Sequence, residues 1–494
     1  MTDTTTPDFE KHMVRGSVWM LAMRWCMRLI GIVSTAILAR LLVPEDFGII
    51  AMAMIVVGFA EMFAYLGVDL ALIQKKDPTR DFYDTAWTIN ILQGAILTAI
   101  LFLLAPFIGG FFDEPRVVLV IQFLAFRAVA IGMENIGTVA FRKELDFAKE
   151  FRFGVCKKIL SFTLTVSLAF WLENYWAIVI GLLGGAIMDV LLSYFLHPFR
   201  PKLSLSKFTE LWAFSVWILI RHVVHFALDR IDEFIVGKMF GTRAMGGYYI
   251  SAYVGTMPAN EVVMPLARGL YPSYVKMIDD PPRLVESYLK VLGMVSVLCM
   301  SICFGMVAVS HDLIHVFLGE RWLYIQPVFD FLVMYAGVFS ITSGIGTVMM
   351  AMDRFRPFVL LTVLHLAVLV TFILIGSHYW GVKGVAAGRL VAIIIVLPLM
   401  FLVLKAVVPV TFGRIIFVTW RPLVAGAAMF FIVRFFHIGA IDIPALTLAM
   451  DVMVGVVSFV VCLFLLWIAQ GRPEGPENVV VGYVLKFLRR KANG

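Results

Sequence analysis

From Met13 to Ala469 the chain is a succession of apolar stretches, parted by short segments that carry charge, Pro or Gly. A helix needs about 20 apolar residues to cross the hydrocarbon of a bilayer, so each stretch reads as a membrane span. About fourteen are found, the first over Met13 to Ala39, the fourth over Val117 to Phe141, the tenth over Val328 to Met352 and the last over Leu446 to Ala469. Little chain remains for a folded segment outside the membrane. With 61% hydrophobic and 15% charged residues, the composition excludes a soluble enzyme and a disordered chain alike. Function is therefore expected inside the bilayer, with lipids as permanent neighbours.

The first span follows a short polar stub, Thr2 to Glu10, and is too long, with arginines inside it, for a cleaved signal peptide. Orientation follows from Lys and Arg, which stay cytoplasmic in short loops. One set of connections holds Lys75, Lys76 and Arg80; Arg142, Lys143, Lys149 and Arg152; Arg200, Lys202 and Lys207; Lys276 and Arg283; Arg354 and Arg356; Lys405 and Arg414. The alternate connections hold only Arg116, Arg243, Arg321 and Lys383. Both termini are thus expected in the cytoplasm, and the net charge of +7 belongs to loops rather than to a nucleic-acid surface. The tail, with Lys486, Arg489, Arg490 and Lys491 among Val480, Val484 and Phe487, reads as a basic amphipathic segment on the inner membrane face. Aromatics near span ends, Trp171, Tyr175, Trp176, Trp322, Tyr324, Tyr379 and Trp380, are expected in interfacial belts. Cys26, Cys156, Cys299, Cys303 and Cys462 lie in apolar runs without metal-ligand spacing.

Two internal matches point to duplication. The run from Ile37 to Leu42, followed by Phe47-Gly48, aligns with Ile235 to Phe240, followed by Met245-Gly246. Ile136-Gly137-Thr138-Val139 aligns with Ile345-Gly346-Thr347-Val348. Each match pairs a span with the one six later. The expected fold is an all-α integral membrane protein of two six-helix lobes, related as a parallel repeat around a central cavity, plus two accessory helices. The expected boundaries are residues 1–200 and 201–407 for the lobes, 408–471 for the accessory pair and 472–494 for the basic tail.

Charge inside a span costs about 2.5 to 3.5 kcal/mol on insertion scales, so such residues must face protein, water or an anion. Arg24 and Arg28 lie one turn apart on the first span, and Arg221, His225 and Asp229 repeat that spacing on the seventh, its repeat equivalent. Two arginines one turn apart repel, and an anion would relieve them. Arg also grips phosphate oxygens through two bonds at once, so the pair is a candidate seat for a pyrophosphate. Arg127 and His225 extend the candidate cavity lining. Glu61, Glu134, Asp229, Asp232 and Glu261 are candidates for ion coupling or for structural ion pairs, with Arg127 against Glu134 and Asp229 against Arg230 as the local pairings. Pro258 and Pro265 remove amide donors from the eighth span and mark it as a candidate gate. No P-loop, G-x-S-x-G or H-E-x-x-H motif is present. Energy is expected from an ion gradient, H+ or Na+, with no cofactor and no metal.

Four stretches carry a family resemblance: Ala39 to Gly48, Phe141 to Phe147, Asp232 to Gly241 and Phe317 to Trp322. They resemble the polysaccharide transporter branch of the MOP superfamily, the Wzx-type oligosaccharide flippases, and most of all exporters of the colanic acid and succinoglycan type. The resemblance runs from about Arg15 to about Ala469. It implies two six-helix lobes around a central cavity, and movement of an undecaprenyl pyrophosphate-linked oligosaccharide to the outer leaflet of a bacterial inner membrane. It also implies polysaccharide polymerase or export machinery as partners. Arg24, Arg28 and Arg221 fit the cationic cavity residues of that family by type and position. Three other readings stand beside it. A multidrug or small-cation antiporter of the same superfamily would be expected to have an acidic cavity, a lipid II flippase shares the lipid pyrophosphate, and a membrane-embedded polymerase or acyltransferase would carry a long polar loop.

Overall fold

A computed structural model describes residues 6–64, 72, 78–143, 147–209, 216–436, 443–473 and 478. The side chains of residues 6–18, 20, 21, 63, 64, 142, 143, 147, 216–225, 264, 265, 267, 268 and 355 lie outside that description, as do the basic pair Lys75 and Lys76 and the amphipathic tail. Among the described residues all regular structure is helical.

The long helices follow the spans in order. They are α1 (Thr6–Leu41), α2 (Pro44–Ala64), α3 (Arg80–Phe112), α4 (Pro115–Gly132), α5 (Phe147–Leu172), α6 (Trp176–Leu196), α7 (216–240) and α8 (242–275). The remainder are α9 (Pro281–Ala308), α10 (Gln326–Ser340), α11 (355–380), α12 (382–405), α13 (Phe412–Phe436) and α14 (Pro444–Ala469). Among the described residues, ten stretches are long and apolar enough to cross a membrane, and one of these, Arg356–Lys405, takes in both α11 and α12. The helices α2, α7 and α8 are not among them. Helix starts follow the prolines, which arrive with the helical φ already set. Pro115 opens α4 behind Glu114, whose side chain caps the amide of Arg116, and Pro281 opens α9 behind Asp280, which caps Arg283. The turns inside the two longest helical stretches fall at Gly241 (φ 76°) and Gly381 (φ 60°). A side chain is strained in that region of backbone space, which is why glycine holds both corners.

Two expected spans are broken. The fourth stops at Gly132 and resumes through a 3-10 turn, Ile136–Thr138, into the short helix Val139–Lys143. The tenth stops at Ser340 and resumes at Ile345–Ala351, after Gly344 in a left-handed conformation. Both breaks fall just before the repeated Ile-Gly-Thr-Val, which resumes as a 3-10 turn in the first copy and as an α-helix in the second. A break at membrane depth must satisfy its own polar groups. Asn135, fully buried, does so for the first: its amide donates to the Ser193 hydroxyl, its side chain donates to the carbonyls of His197 and Phe199, and its side-chain oxygen accepts from Gly137.

The chain divides into two compact units, Met1–Gly246 and Gly247–Gly494. Within the first, α3 packs along α4, α4 along α2 and α6, and α5 along α1 and α6. The α3 and α4 backbones meet closely: a Cβ on Gly94 would strike the carbonyl of Ala128, and one on Gly132 that of Asn90. In the second unit α9 packs on α10 and α13, and α13 on α14. Its core gathers Tyr274, Leu284, Tyr288, Leu292, Met349 and Val396, all nearly inaccessible.

Large apolar side chains such as Phe107, Trp171, Phe195, Tyr379, Trp380 and Phe435 are mostly exposed, as a lipid-facing surface requires. Trp322 departs from the expected belt. The 3-10 turn Glu320–Ile325 carries it inward, and it is fully buried.

Candidate functional site

The first unit contains a partly open cavity of about 690 Å³, lined by residues from α1 to α6 and from the broken end of α4. Its charged lining consists of Glu61, Glu134, Glu150 and Asp189 with Lys157 and Lys158, beside the polar Asn90, Gln93, Asn135, Thr138 and Ser161. Met23 and Met27 of α1 and Phe141 and Phe153 complete the apolar part.

Four of these charges, Glu61, Glu134, Lys157 and Asp189, fall in two ion-paired groups. Arg127 of α4 bonds the Glu61 carboxylate of α2. Lys157 of α5 donates to both oxygens of Glu134, at 3.1 and 3.2 Å, and lies 3.4 Å from Asp189 of α6. Its ammonium also sits over the Phe153 ring at 4.6 Å. These side chains are each only about a quarter exposed (21 to 31%), so the pairs are screened less than surface pairs. The local pairing read from the sequence, Arg127 with Glu134, is replaced by one across helices, because the break after Gly132 carries Glu134 off the line of α4 and toward α5. Lys157 was not picked out in the sequence. Its position four residues into the apolar run that starts at Phe153 was the available signal, obscured by the neighbouring Lys158.

On α7 a further ion pair forms beside the second expected one. Arg230 bonds Glu233 at 2.6 and 2.8 Å, one turn along α7, and Glu233 and Asp232 are buried. Asp229 is exposed, and Glu261 is half-buried on α8. Arg24 and Arg28 are half-buried on α1, each engaged in an interaction, and are not among the residues that line the cavity of the first unit. Met23 and Met27 line it from the neighbouring face of the same helix. Arg221 and His225 lie on the helical backbone of α7, and their side chains fall outside the described residues. The helical backbone runs unbroken through Pro258 and Pro265, and the residue that leaves helical geometry in this stretch is Gly241. The Pro265 side chain is likewise outside the description. No group of three or more metal-ligating side chains occurs among the described residues.

A chain of long membrane-spanning helices, with a charged and internally paired cavity inside one bundle, is a polytopic membrane protein of the all-helical transporter class. Residues 37–327 match the family described as polysaccharide biosynthesis protein, and the chain belongs to that family. The lipopolysaccharide biosynthesis protein WzxC of Escherichia coli (strain K12) is 25% identical over 80% of this chain and 81% of its own length. The teichuronic acid biosynthesis protein TuaB of Bacillus subtilis (strain 168) is 24% identical over 70% of this chain and 73% of its own. Among solved structures, the lipid II flippase MurJ in an inward closed conformation superposes with a TM-score of 0.73 at 12% identity, covering 93% of this chain and all of its own. That likeness is one of fold.

Proposed function

We propose that this chain moves a lipid-linked oligosaccharide, carried on undecaprenyl pyrophosphate, from the inner to the outer leaflet of a bacterial inner membrane by alternating access. Membership of the polysaccharide biosynthesis family carries the reading, since the match spans residues 37–327 and the relatives named for polysaccharide biosynthesis align along most of the chain. The all-helical membrane fold is the kind of scaffold such a reaction needs, because the cargo has an acyl chain that stays in lipid and a polar head that must not. In this reading the basic loops and both termini face the cytoplasm. Arg24, Arg28 and Arg221 meet the pyrophosphate, with Arg127 and His225 nearby. The paired acids Glu61 and Glu134, with Asp229, Asp232 and Glu261, serve ion coupling to H+ or Na+ or hold the bundle together. Pro258 and Pro265 lie on a moving helix. A polysaccharide polymerase or export assembly receives the product.

The test is deletion of the gene in its host. Surface polysaccharide is then lost, the lipid-linked repeat unit accumulates on the cytoplasmic side, and the plasmid-borne gene restores export. Unchanged surface polysaccharide, or accumulation of lipid II in its place, removes the reading.

A further inference from the structure

Two adjacent lysines of α5 meet different surroundings in the cavity of the first unit. Lys157 is matched by Glu134 and Asp189, and Glu61 is matched by Arg127. Glu150, on the same lining, is engaged in an interaction of its own. Lys158 also lines the cavity and is half-buried, yet its ammonium has no carboxylate and no hydrogen-bond acceptor among the described residues. An ammonium inside a span is costly unless an anion or water reaches it.

Other donors on the lining are left over as well. The side-chain nitrogen of Gln93 has no acceptor, and the side chains of Asn90 and Ser161 make no hydrogen bond among the described residues. Met23, Met27 and Phe153 give the same space an apolar flank. A volume of about 690 Å³ lies within the range of small-molecule sites. The lining thus suits a molecule with one negative charge, several acceptor oxygens and an apolar part. Lysine presents a compact point charge, which serves a phosphate without fixing its orientation.

Depth narrows the choice. Lys158 lies five residues past Phe153, where the apolar run of α5 starts, a helical rise of about 7.5 Å. Helical side chains tilt toward the helix start, and α5 starts at the basic residues Lys149 and Arg152. The ammonium therefore reaches back to the level where the glycerol and phosphate of a phospholipid meet its acyl chains. Water would serve the ammonium there by snorkelling, but not the flank of Met23, Met27 and Phe153, which the first methylenes of a lipid cover.

We propose that this cavity holds the head of one anionic phospholipid from the leaflet beside the basic loops, with its phosphate on Lys158 and its glycerol and ester oxygens on Asn90, Gln93 and Ser161. Bilayer lipids are permanent neighbours of the chain, and basic pockets between spans suit their anionic heads. The proposal does not rest on the transport reading.

The full chain is placed in nanodiscs of phosphatidylcholine with and without phosphatidylglycerol, and the lipids it retains are counted by native mass spectrometry. The parent should keep phosphatidylglycerol in preference to phosphatidylcholine, whose choline cancels the negative charge. Lys158→Gln should weaken that retention by about tenfold or more, and Lys158→Arg, which keeps the charge, should hold it. Lys149→Gln, which removes an equal charge from the exposed start of the same helix, should leave it unchanged. Equal retention of the two lipids by the parent, or undiminished retention by Lys158→Gln, would show that Lys158 is served by water and end the proposal. Undecaprenyl phosphate is the second probe. If it is retained through Lys158 in place of phosphatidylglycerol, the cavity lies on the path of the cargo and the phospholipid assignment is overturned.

Discussion

Lys157 donates to both carboxylate oxygens of Glu134, at 3.1 and 3.2 Å, and so ties α5 to the broken end of α4. Asp189 of α6 approaches the same ammonium at 3.4 Å, so one lysine serves two acids. Lys157→Met removes the shared cation and leaves two carboxylates facing each other. The expected cost is about 1 to 3 kcal/mol, below the range for a fully buried pair because these groups keep some solvent contact. Thermal unfolding in detergent should show it as a lowered midpoint. Adding Glu134→Gln and Asp189→Asn should recover most of the loss, and a triple variant no more stable than Lys157→Met would refute the assignment.

Arg24 and Arg28 are the residues proposed to meet the pyrophosphate. Replacing either with Ala should leave the protein folded and inserted but lower export, and Lys should rescue only in part, because it keeps the charge and loses the two-bond fork. Surface polysaccharide, normalised to protein in the membrane, is the measure. Normal export by both Ala variants would make the pair structural.

The segment after α6 is held on the first turns of α3. Asp84 accepts the Lys202 amide at 2.9 Å, Thr88 accepts the Ser204 amide at 2.9 Å, and Thr85 accepts the Lys207 amide at 3.3 Å. All three acceptors are buried. Asp84→Ala should cost about 1 to 2 kcal/mol and leave a backbone donor unpaired. Protease cleavage between residues 200 and 207 should then quicken, while Asp84→Asn, which keeps an acceptor oxygen, should cleave nearly as slowly as the parent. Equal cleavage of all three proteins would show that the anchor does not hold the segment.

Orientation is open to reporter fusions. Those after Lys149 and Arg356 should read as cytoplasmic, and those after Asp113 and Trp322 as periplasmic. A periplasmic signal at Lys149 would defeat the alternation of basic loops.

The order of the helices was legible because hydropathy is written locally. A span is long, apolar and bounded by Pro or charge, and none of this depends on what the helix touches. The repeat was legible for a similar reason, since two copies of a turn keep their glycines wherever the same backbone approach must recur. The site was legible only in its raw material. Glu61, Arg127, Glu134 and Asp189 stand out as charges in apolar runs, but which cation each acid meets depends on the rotation of its helix and on the neighbour beside it. Lys157 went unread for that reason.

The sequence by itself determined that this is a many-span helical membrane protein with duplicated turns. Tertiary structure alone decided that α4 and α10 break just before the repeated Ile-Gly-Thr-Val, that Glu134 turns away from Arg127 to Lys157, that Trp322 leaves the interface for the core, and that Gly48 and Gly246 each rest on the other's turn. Apolar periodicity is a property of neighbours along the chain, whereas a paired charge or a backbone contact belongs to segments a hundred or more residues apart and exists only once the helices have packed.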